Sequence, residues 1–287
     1  MSKPIILVTG ANGQLGNEFR ELQTGYPGYA FIFLSKQELS ISNADSVQAA
    51  FERYHPQWCV NCAAYTAVDK AETEIDLAMA INAAAAGILA ETCAEYGTRF
   101  IHISTDYVFN GSSAQPYRES DATAPINAYG LSKLRGERLV MQYNPDAIII
   151  RTSWVYSFFG NNFVKTMMRL MKEKESINVV DDQVGSPTYA ADLAQVIMHI
   201  ITQDAPASGI FHYSNEGRIS WYEFALAIKD LTGSRCQVNP IPSSQYPTPA
   251  KRPQYSLLDK TKIASTFLVP IAHWKESLEI CVRKFAG

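Results

Sequence analysis

A tyrosine and a lysine four residues apart could act together in catalysis. Tyr129 and Lys133 belong to the run Tyr-Gly-Leu-Ser-Lys at the start of a helix-like stretch, and this spacing puts both side chains on one helical face. A phenol titrates near about 10, and a neighbouring ammonium is expected to lower that pKa. Tyr129 could then protonate a carbonyl oxygen while a hydride reaches the carbon. Taken alone, the pair is equally typical of an exposed helix surface.

Two hydroxyl residues upstream strengthen the interpretation. Ser104 and Thr105 end an apolar run that begins at residue 99. Because ligands of an open α/β sheet bind at the carboxyl ends of its strands, a hydroxyl there could hold the carbonyl oxygen beside the tyrosine. In isolation, such a hydroxyl would more often just cap the strand.

A glycine-rich loop near the N-terminus supplies a nucleotide-binding element. Gly10, Gly13 and Gly16 follow a first strand and open a first helix. Glycine lets the backbone approach a pyrophosphate closely, and the helix N-terminus offers free N–H groups. The spacing G-x-x-G-x-x-G is typical of short-chain dehydrogenases/reductases.

The end of the second strand bears on the choice between cofactors. Ser35 and Lys36 stand there, where an NAD-preferring site usually has an acidic residue for the ribose hydroxyls. The pair favours NADPH, although the nearby Glu38 weakens this argument, and NADH stays possible.

The elements that must position these groups alternate along the first 150 residues. Strands are predicted at residues 5–8, 30–34, 58–62, 99–104 and 147–151, and helices at 14–22, 44–54, 75–96 and 128–143. Alternation with strands apolar on both faces predicts an α/β protein, a Rossmann-type doubly wound parallel sheet. We expect residues 1–152 to form the NAD(P)-binding domain, with 176–203 returning to it. Residues 153–175 and 204–287 should form a smaller mixed α/β C-terminal substrate lobe.

The composition excludes several classes of protein. The 287 residues carry a net charge of −3 with no block of like charges, so a nucleic-acid partner is not expected. No uninterrupted apolar run reaches the roughly 18 residues of a membrane span, and the N-terminus does not resemble a signal peptide. Five dispersed cysteines do not indicate a disulfide scaffold. We expect a cytoplasmic protein, monomeric or homodimeric, without membrane partners.

Longer runs resemble the dTDP-4-dehydrorhamnose reductase family, within the extended short-chain dehydrogenase/reductase superfamily. Residues 61–72 (NCAAYTAVDKAE) are similar to that family's N-A-A-A-Y-T-A-V-D-K-A-E signature. Further similar runs are STDYVFNG at 104–111, RTSWVY at 151–156, GNNFV at 160–164, DQVGSPT at 182–188 and YPTPAKRP at 246–253. The resemblance therefore covers nearly the whole chain.

The resemblance implies a reductase that converts the 4-keto group of a dTDP-6-deoxy-L-hexose to give dTDP-L-rhamnose, a precursor of bacterial surface polysaccharides. Thr105 would orient the keto oxygen, Tyr129 would donate the proton and Lys133 would hold the ribose. The implied cofactor-binding residues are Gly10, Asn12, Gly13, Gln14, Leu15, Gly16, Ala63, Ala64 and Tyr65, with Tyr129 and Lys133. The implied substrate-binding residues are Val68, Thr105, Asp106 or its neighbour Tyr107, Trp154 and Arg252, the last for the diphosphate.

Two departures from the family pattern limit the transfer. Ser40 stands where the family often has an aspartate near the adenine, so its hydroxyl would have to make that contact. Some members dimerise through a divalent ion held by glutamates, but here Glu18 is matched only by the region of Ala191 and Asp192. No metal site is therefore predicted.

Two alternatives remain open. The chain could reduce another nucleotide-linked 4-keto-deoxyhexose. It could also be a non-catalytic nucleotide-binding subunit similar to the regulatory subunit of methionine adenosyltransferase, although Thr105, Tyr129 and Lys133 are all present. Asn82, in an alanine-rich helical run, is a further candidate for holding the active-site loop.

Overall fold

A six-stranded parallel sheet forms the centre of the protein. The structure is a computed structural model that describes residues 3–285. The twelve strands are β1 (Ile5–Thr9), β2 (Ala30–Leu34), β3 (Trp58–Asn61), β4 (Arg99–Thr105), β5 (Ile148–Thr152), β6 (Val155–Tyr156), β7 (Ser176–Val180), β8 (Val184–Gly185), β9 (Thr188–Tyr189), β10 (Gly209–His212), β11 (Ile219–Ser220) and β12 (Gln237–Ile241). The central sheet has the order β10-β5-β4-β3-β1-β2, and its neighbouring strands are parallel.

Helices cover both faces of this sheet. They are α1 (Gln14–Leu22), α2 (Ala44–Tyr54), α3 (Ile75–Met79), α4 (Ala85–Glu95), α5 (Ala128–Tyr143), α6 (Phe163–Glu173), α7 (Ala190–Gln203), α8 (Trp221–Thr232), α9 (Thr261–Phe267) and α10 (Trp274–Arg283). Helices α1, α7 and α9 bury apolar side chains against one face, while α2, α4 and α5 cover the other. Burial on both faces explains the apolar strands, and the predicted doubly wound Rossmann-type sheet is confirmed.

A smaller lobe has its own apolar core. Helices α6, α8 and α10 pack there around β7 and β12, which pair in parallel. Aromatic contacts are dense in this core; Phe224 alone lies within 6.4 Å, centroid to centroid, of Tyr156, Phe163, Trp221 and Trp274.

Two strands lie outside the domain boundaries that the sequence predicts. Residues 176–180 were expected in the nucleotide-binding domain, but β7 pairs with β12 in the smaller lobe. Residues 209–212 were expected in the substrate lobe, but β10 pairs with β5 and extends the central sheet. Helix α7, in contrast, packs on α1 and the central sheet.

The predicted helix at 75–96 contains a π-helical turn. The turn spans Ala80–Ala84 and separates α3 from α4. By length and composition Ile75–Glu95 could cross a membrane, yet 56% of its 18-residue apolar window is buried inside the protein. Its alanines pack on the sheet and on α5, which accounts for its apolar character.

Candidate functional site

The glycine loop lies where the strand order of the central sheet reverses. Strand β1 has β2 on one side and β3 on the other, and ligands of open α/β sheets bind at such a point. Gly10 has φ +63° and packs on the segment after β3: a Cβ there would lie 2.6 Å from Ala63 N. Only glycine can combine that conformation with this approach.

The first turn of α1 is open to a ligand. Gly13 caps the helix without a side-chain hydrogen bond, and with Asn12 it is exposed, whereas Leu15 and Gly16 are buried beneath. Gln14 is tied to the smaller lobe, because its Oε1 accepts a hydrogen bond from Asn162 Nδ2 at 3.0 Å. The free N–H groups of this turn suit a pyrophosphate.

The turn after β2 is built around Glu38. The Ser35 N–H donates to the Glu38 carboxylate at 2.8 Å, and this hydrogen bond holds the pKa of Glu38 below its usual range. Ser35 is buried, while Lys36 and Ser40 are exposed. Lys36 and Ser40 are therefore the two predicted adenosine-side residues here that a bound nucleotide can reach from solvent.

Thr105, Asp106 and Tyr107 form the end of β4 and the short helical turn after it. The Thr105 hydroxyl accepts from the Tyr107 N–H at 3.2 Å and donates to Asp106 Oδ1 at 3.0 Å. The second oxygen, Asp106 Oδ2, is buried without a hydrogen-bond partner. Burial raises the pKa of Asp106 to about 7, against the opposing effects of the Thr105 and Ser256 side chains.

Tyr129 lies in the first turn of α5 beside this group, with its ring 5.6 Å from that of Tyr107. The expected lowering of its pKa is wrong: burial raises the pKa of Tyr129 to about 12, and the Asp106 carboxylate adds to this while the Thr105 hydroxyl opposes it. Lys133 does not offset this because its ammonium is directed elsewhere. Tyr129 is consequently protonated at neutral pH, the form that a proton donor needs.

Lys133 is the end of a buried chain of polar side chains. Its Nζ donates to Ile103 O at 2.7 Å and lies 3.4 Å from His102 Nε2. His102 Nδ1 lies 3.0 Å from Asn61 Nδ2, and Asn61 Oδ1 accepts from the Thr9 hydroxyl at 2.7 Å. The chain therefore connects the lysine to the end of β1, directly before the glycine loop.

Asn82, in the π-helical turn, joins three parts of the site. Its Oδ1 accepts from the Tyr65 N–H at 2.8 Å, and its Nδ2 donates to Tyr65 O at 3.0 Å and to Ser132 Oγ at 2.9 Å. The segment with Ala63, Ala64 and Tyr65 is thereby fixed to α5 next to Lys133. The π-helical turn presents this amide, a common use of such turns at functional sites.

A cavity of about 590 Å³ lies in the smaller lobe. Its lining includes Phe163, Asn178, Gln183, Trp221, Tyr246 and Arg252. Trp154 has the unusual φ of +48° and stacks on Trp221, with ring centroids 3.6 Å apart. Backbone strain of this kind is frequent at ligand sites.

Arg252 is already paired on one side. Its guanidinium makes two hydrogen bonds to Asp69, at 3.0 and 2.9 Å, and so connects the smaller lobe to the loop that carries Val68. The Asp69 carboxylate accepts these bonds, which lower its pKa. The predicted diphosphate contact would have to use the rest of the guanidinium.

Several residues of the site were not selected from the sequence. Asn61 and His102 were placed in strands, and Glu137 and Arg151, a buried ion pair next to Lys133, were overlooked. The sequence signal that could have identified them is a charged residue in a buried position. Arg151 follows Ile148–Ile150 in a buried strand, and Glu137 shares a helical face with Lys133. Buried charges of this kind are rarely incidental.

The two acidic residues considered for an interface metal ion, Glu18 and Asp192, each accept hydrogen bonds from other side chains of the chain. Glu18 Oε1 accepts from the Ser157 hydroxyl at 2.6 Å, and Asp192 Oδ2 accepts from Asn215 Nδ2, also at 2.6 Å. Within residues 3–285 no group of three His, Cys, Asp or Glu side chains is arranged to hold a metal ion. All five cysteines are free thiols.

A glycine loop at the reversal point of a parallel sheet, with threonine, tyrosine and lysine at its carboxyl edge, defines a short-chain dehydrogenase/reductase. The model of the RmlD substrate binding domain family matches residues 4–286. A dTDP-4-dehydrorhamnose reductase of Aggregatibacter actinomycetemcomitans is 40% identical, and the match covers 96% of this chain and 97% of the relative. A dTDP-4-keto-6-deoxy-D-glucose reductase of Streptomyces niveus is 39% identical over 95% of this chain and 94% of its own.

A solved structure agrees with these matches. The dTDP-4-dehydrorhamnose reductase of Bacillus anthracis in complex with NADP superimposes with a TM-score of 0.93 at 40% identity, covering 99% of this chain and 100% of that one. The chain belongs to the dTDP-4-dehydrorhamnose reductase family.

Proposed function

We propose that this protein reduces the 4-keto group of dTDP-4-dehydro-L-rhamnose to give dTDP-L-rhamnose, with NADPH as the preferred reductant. The observation that supports the proposal is the Thr105 side chain at the Tyr129 phenol, with Lys133 one turn further along the same helix, in a chain of this family. The same three residues argue against a purely regulatory subunit. The product would supply surface-polysaccharide synthesis, and we expect the enzyme to act in the cytoplasm on this small-molecule substrate.

The residues present fit a dinucleotide. Gly13 is exposed, and a Cβ there would meet only Gly10 O within 4 Å, so it would occupy the space in which a pyrophosphate sits at the N-terminus of α1. Asn12, Gln14 and Leu15 share that turn. Lys36 and Ser40 would face the adenosine with Ser35 buried behind them, and Lys133 would hold the nicotinamide ribose. The cofactor supplies the hydride when bound.

The chain's own residues handle the proton. The hydride bonds to the keto carbon, the C=O π electrons move to oxygen, and that oxygen takes the proton of the Tyr129 phenol. The Thr105 hydroxyl would orient the keto oxygen. The Tyr129 phenolate that is left would take its proton back from solvent.

The substrate would extend from this group into the smaller lobe. A hydroxyl of the sugar would give Asp106 Oδ2 the donor that it lacks, with Tyr107 and Val68 beside the ring. The Trp154 indole would cover the apolar face of the deoxysugar. The nucleotide would enter the cavity, where Arg252 meets the diphosphate.

Turnover of the Tyr129→Phe variant tests the reaction. We expect at least a thousandfold lower kcat, in line with general-acid catalysis, and unchanged NADPH binding by fluorescence. NADPH consumption is followed by absorbance with dTDP-4-dehydro-L-rhamnose made in place by the preceding epimerase. Tyr143→Phe, which removes a hydroxyl from an exposed tyrosine of the same helix, is the matched control. Turnover by Tyr129→Phe at the control's rate would exclude the tyrosine as proton donor.

A second substrate is supported by one relative. Because the Streptomyces niveus relative is a dTDP-4-keto-6-deoxy-D-glucose reductase, the same assay is run with that sugar and with NADH. A higher kcat/KM for dTDP-4-keto-6-deoxy-D-glucose would transfer the proposal to that substrate. Binding of NADPH without turnover of either sugar would favour a regulatory role.

A further inference from the structure

A buried ion pair lies directly behind the tyrosine and lysine of α5. The Arg151 guanidinium donates to both oxygens of Glu137, from Nε at 2.9 Å and from the terminal nitrogen at 2.7 Å. Both residues are only 2% exposed. A pair so deeply buried is costly to desolvate and is weak evidence of a purely stabilising role.

The pair is connected to the site at both ends. Ser104, the neighbour of Thr105, donates its hydroxyl to Glu137 Oε1 at 2.5 Å, and Glu137 lies one helical turn after Lys133 on the same face. The Arg151 guanidinium is also contacted by two rings: His212 Nε2 lies 3.5 Å from it, and the centroid of the Phe109 ring lies 5.1 Å away. The carboxylate of Glu137 is therefore fixed relative to Lys133.

The other neighbours of Lys133 do little to balance its charge. Asn61 Oδ1 accepts from the Thr9 hydroxyl and the Ala63 N–H, so the Asn61 amide must donate to His102 Nδ1, and the imidazole proton lies on Nε2. That N–H faces the lysine and offers it no acceptor. Ile103 O remains as the acceptor for the ammonium.

Burial disfavours the charged form of Lys133. It lowers the pKa of the ammonium to about 8, and the carboxylate of Glu137 acts in the opposite direction. Without that carboxylate, more of the lysine would be neutral near physiological pH.

We propose that Glu137 is a positioning residue that keeps Lys133 protonated beside the reactive tyrosine, with Ser104 and Arg151 holding its carboxylate in place. The inference rests on the proposed function through the role of Lys133 in NADPH binding. Other charged or titratable groups also surround this end of the helix. They are Tyr129 on α5 itself, His102 from β4, Arg151 from β5, Asp106 and Tyr107 from the turn after β4, and Glu72, which accepts from the Ala128 N–H.

The test measures pH profiles of the full-length protein with Glu137→Gln. NADPH affinity is measured by fluorescence, which needs no turnover, and kcat/KM is measured with the keto sugar. In the unmodified protein both should fall as pH rises through about 8, where Lys133 loses its proton. In Glu137→Gln this high-pH limb should move to lower pH by roughly one unit.

Two further variants keep the test decisive. Glu173→Gln breaks the exposed pair of Arg169 and Glu173 on α6, whose i,i+4 spacing is that of Lys133 and Glu137. This control variant should leave both pH profiles unchanged. Where Glu137→Gln does not fold because Arg151 is left unpaired, Glu137→Gln with Arg151→Met removes the whole pair and should move the limb in the same direction.

The outcomes separate this inference from the reductase proposal. A folded variant could lose activity or NADPH affinity equally at every pH, with the high-pH limb of its profile at the same pH as in the unmodified protein. That result would show a merely structural role and overturn the inference. A shifted limb in NADPH affinity, without turnover of any keto sugar, would support the role of Glu137 while removing the proposed reaction.

Discussion

Asp106 is the residue where binding and stability are in conflict. Its unpartnered Oδ2 is suited to accept a substrate hydroxyl, and a hydrogen bond to a charged group contributes about 1.5–3 kcal/mol. Asp106→Asn keeps the shape and removes the charge. We expect KM for the keto sugar to rise about tenfold or more, with NADPH affinity unchanged. An unaltered KM in steady-state assays would show that Asp106 does not contact the substrate.

The same substitution should stabilise the fold at high pH. A pKa raised from its ordinary 3.8 to about 7 means that the folded state prefers the protonated acid, so this stability is present below about 3.8 and is lost as pH rises through about 7. The shift corresponds to at most about 4 kcal/mol. Urea denaturation above about pH 7 should therefore give a higher free energy of unfolding for Asp106→Asn than for the unmodified protein. If the two proteins differ equally at all pH values, the carboxylate is not the cause.

At the residue scale, chemical type and spacing carried the prediction well only for the reacting groups. Tyr129 and Lys133 were recognisable because their i,i+4 spacing already implies a shared face. The direction in which the pKa of Tyr129 shifts could not be predicted from the sequence, because it depends on how deeply the phenol is buried and on where the Lys133 side chain points. Both are set by β4 and the turn after it, which lie far from α5 in sequence.

The start of helix α5 is an element whose stability should bear on activity. Asn127 caps it: its Oδ1 accepts from the Gly130 N–H at 2.7 Å, and its Nδ2 donates to Lys251 O at 2.8 Å. Asn127→Ala should cost about 1–2 kcal/mol of stability. It should also lower kcat, because Tyr129 is in the first turn of that helix.

A second asparagine cap provides the control for this prediction. Asn43 caps α2 in the same way, accepting from the Ser46 N–H at 2.8 Å, but α2 carries none of the site residues. Asn43→Ala should lose similar stability in thermal denaturation and keep its kcat. Equal kcat values for the two variants would mean that the cap of α5 does not position the tyrosine.

At the element scale, the path of the chain from 75 to 96 shows what periodicity misses. The alanine-rich pattern predicts one helix, and the helical path does continue, but five residues form a π-helical turn. Helix α5 approaches this turn closely: a Cβ on Gly136 would lie 2.0 Å from Asn82 O. Such a contact between distant elements leaves only a glycine and an asparagine as its trace in the sequence.

At the scale of the whole molecule, the sequence predicts the sheet better than the division of the chain. The first five strands of the central sheet follow one another with helices between them, so local pattern suffices. Strand β10 joins the central sheet only after more than fifty residues that lie largely in the smaller lobe. Strand β7 pairs with β12 in the smaller lobe and not with the central sheet. Four or five residues carry no local information on which distant strand they will pair with. We therefore propose a division into two lobes in which β10 belongs to the central sheet and β7 to the smaller lobe.

Ligand binding should stabilise the two lobes separately. A ligand at a hundred times its Kd adds about 2.7 kcal/mol to the folded state, so saturating NADPH should raise Tm by several degrees through the central sheet. If the nucleotide of the substrate enters the cavity of the smaller lobe, dTDP should raise Tm on its own and add to the effect of NADPH.

In Arg252→Gln the increase in Tm caused by dTDP should largely disappear, and the increase caused by NADPH should stay. Asp69 already has 39% of its side chain accessible with Arg252 in place, so the loss of this partner should cost little. A dTDP increment that survives in Arg252→Gln would locate the diphosphate away from this guanidinium, and loss of both increments would mean that the Asp69–Arg252 pair is needed for the nucleotide-binding loop itself.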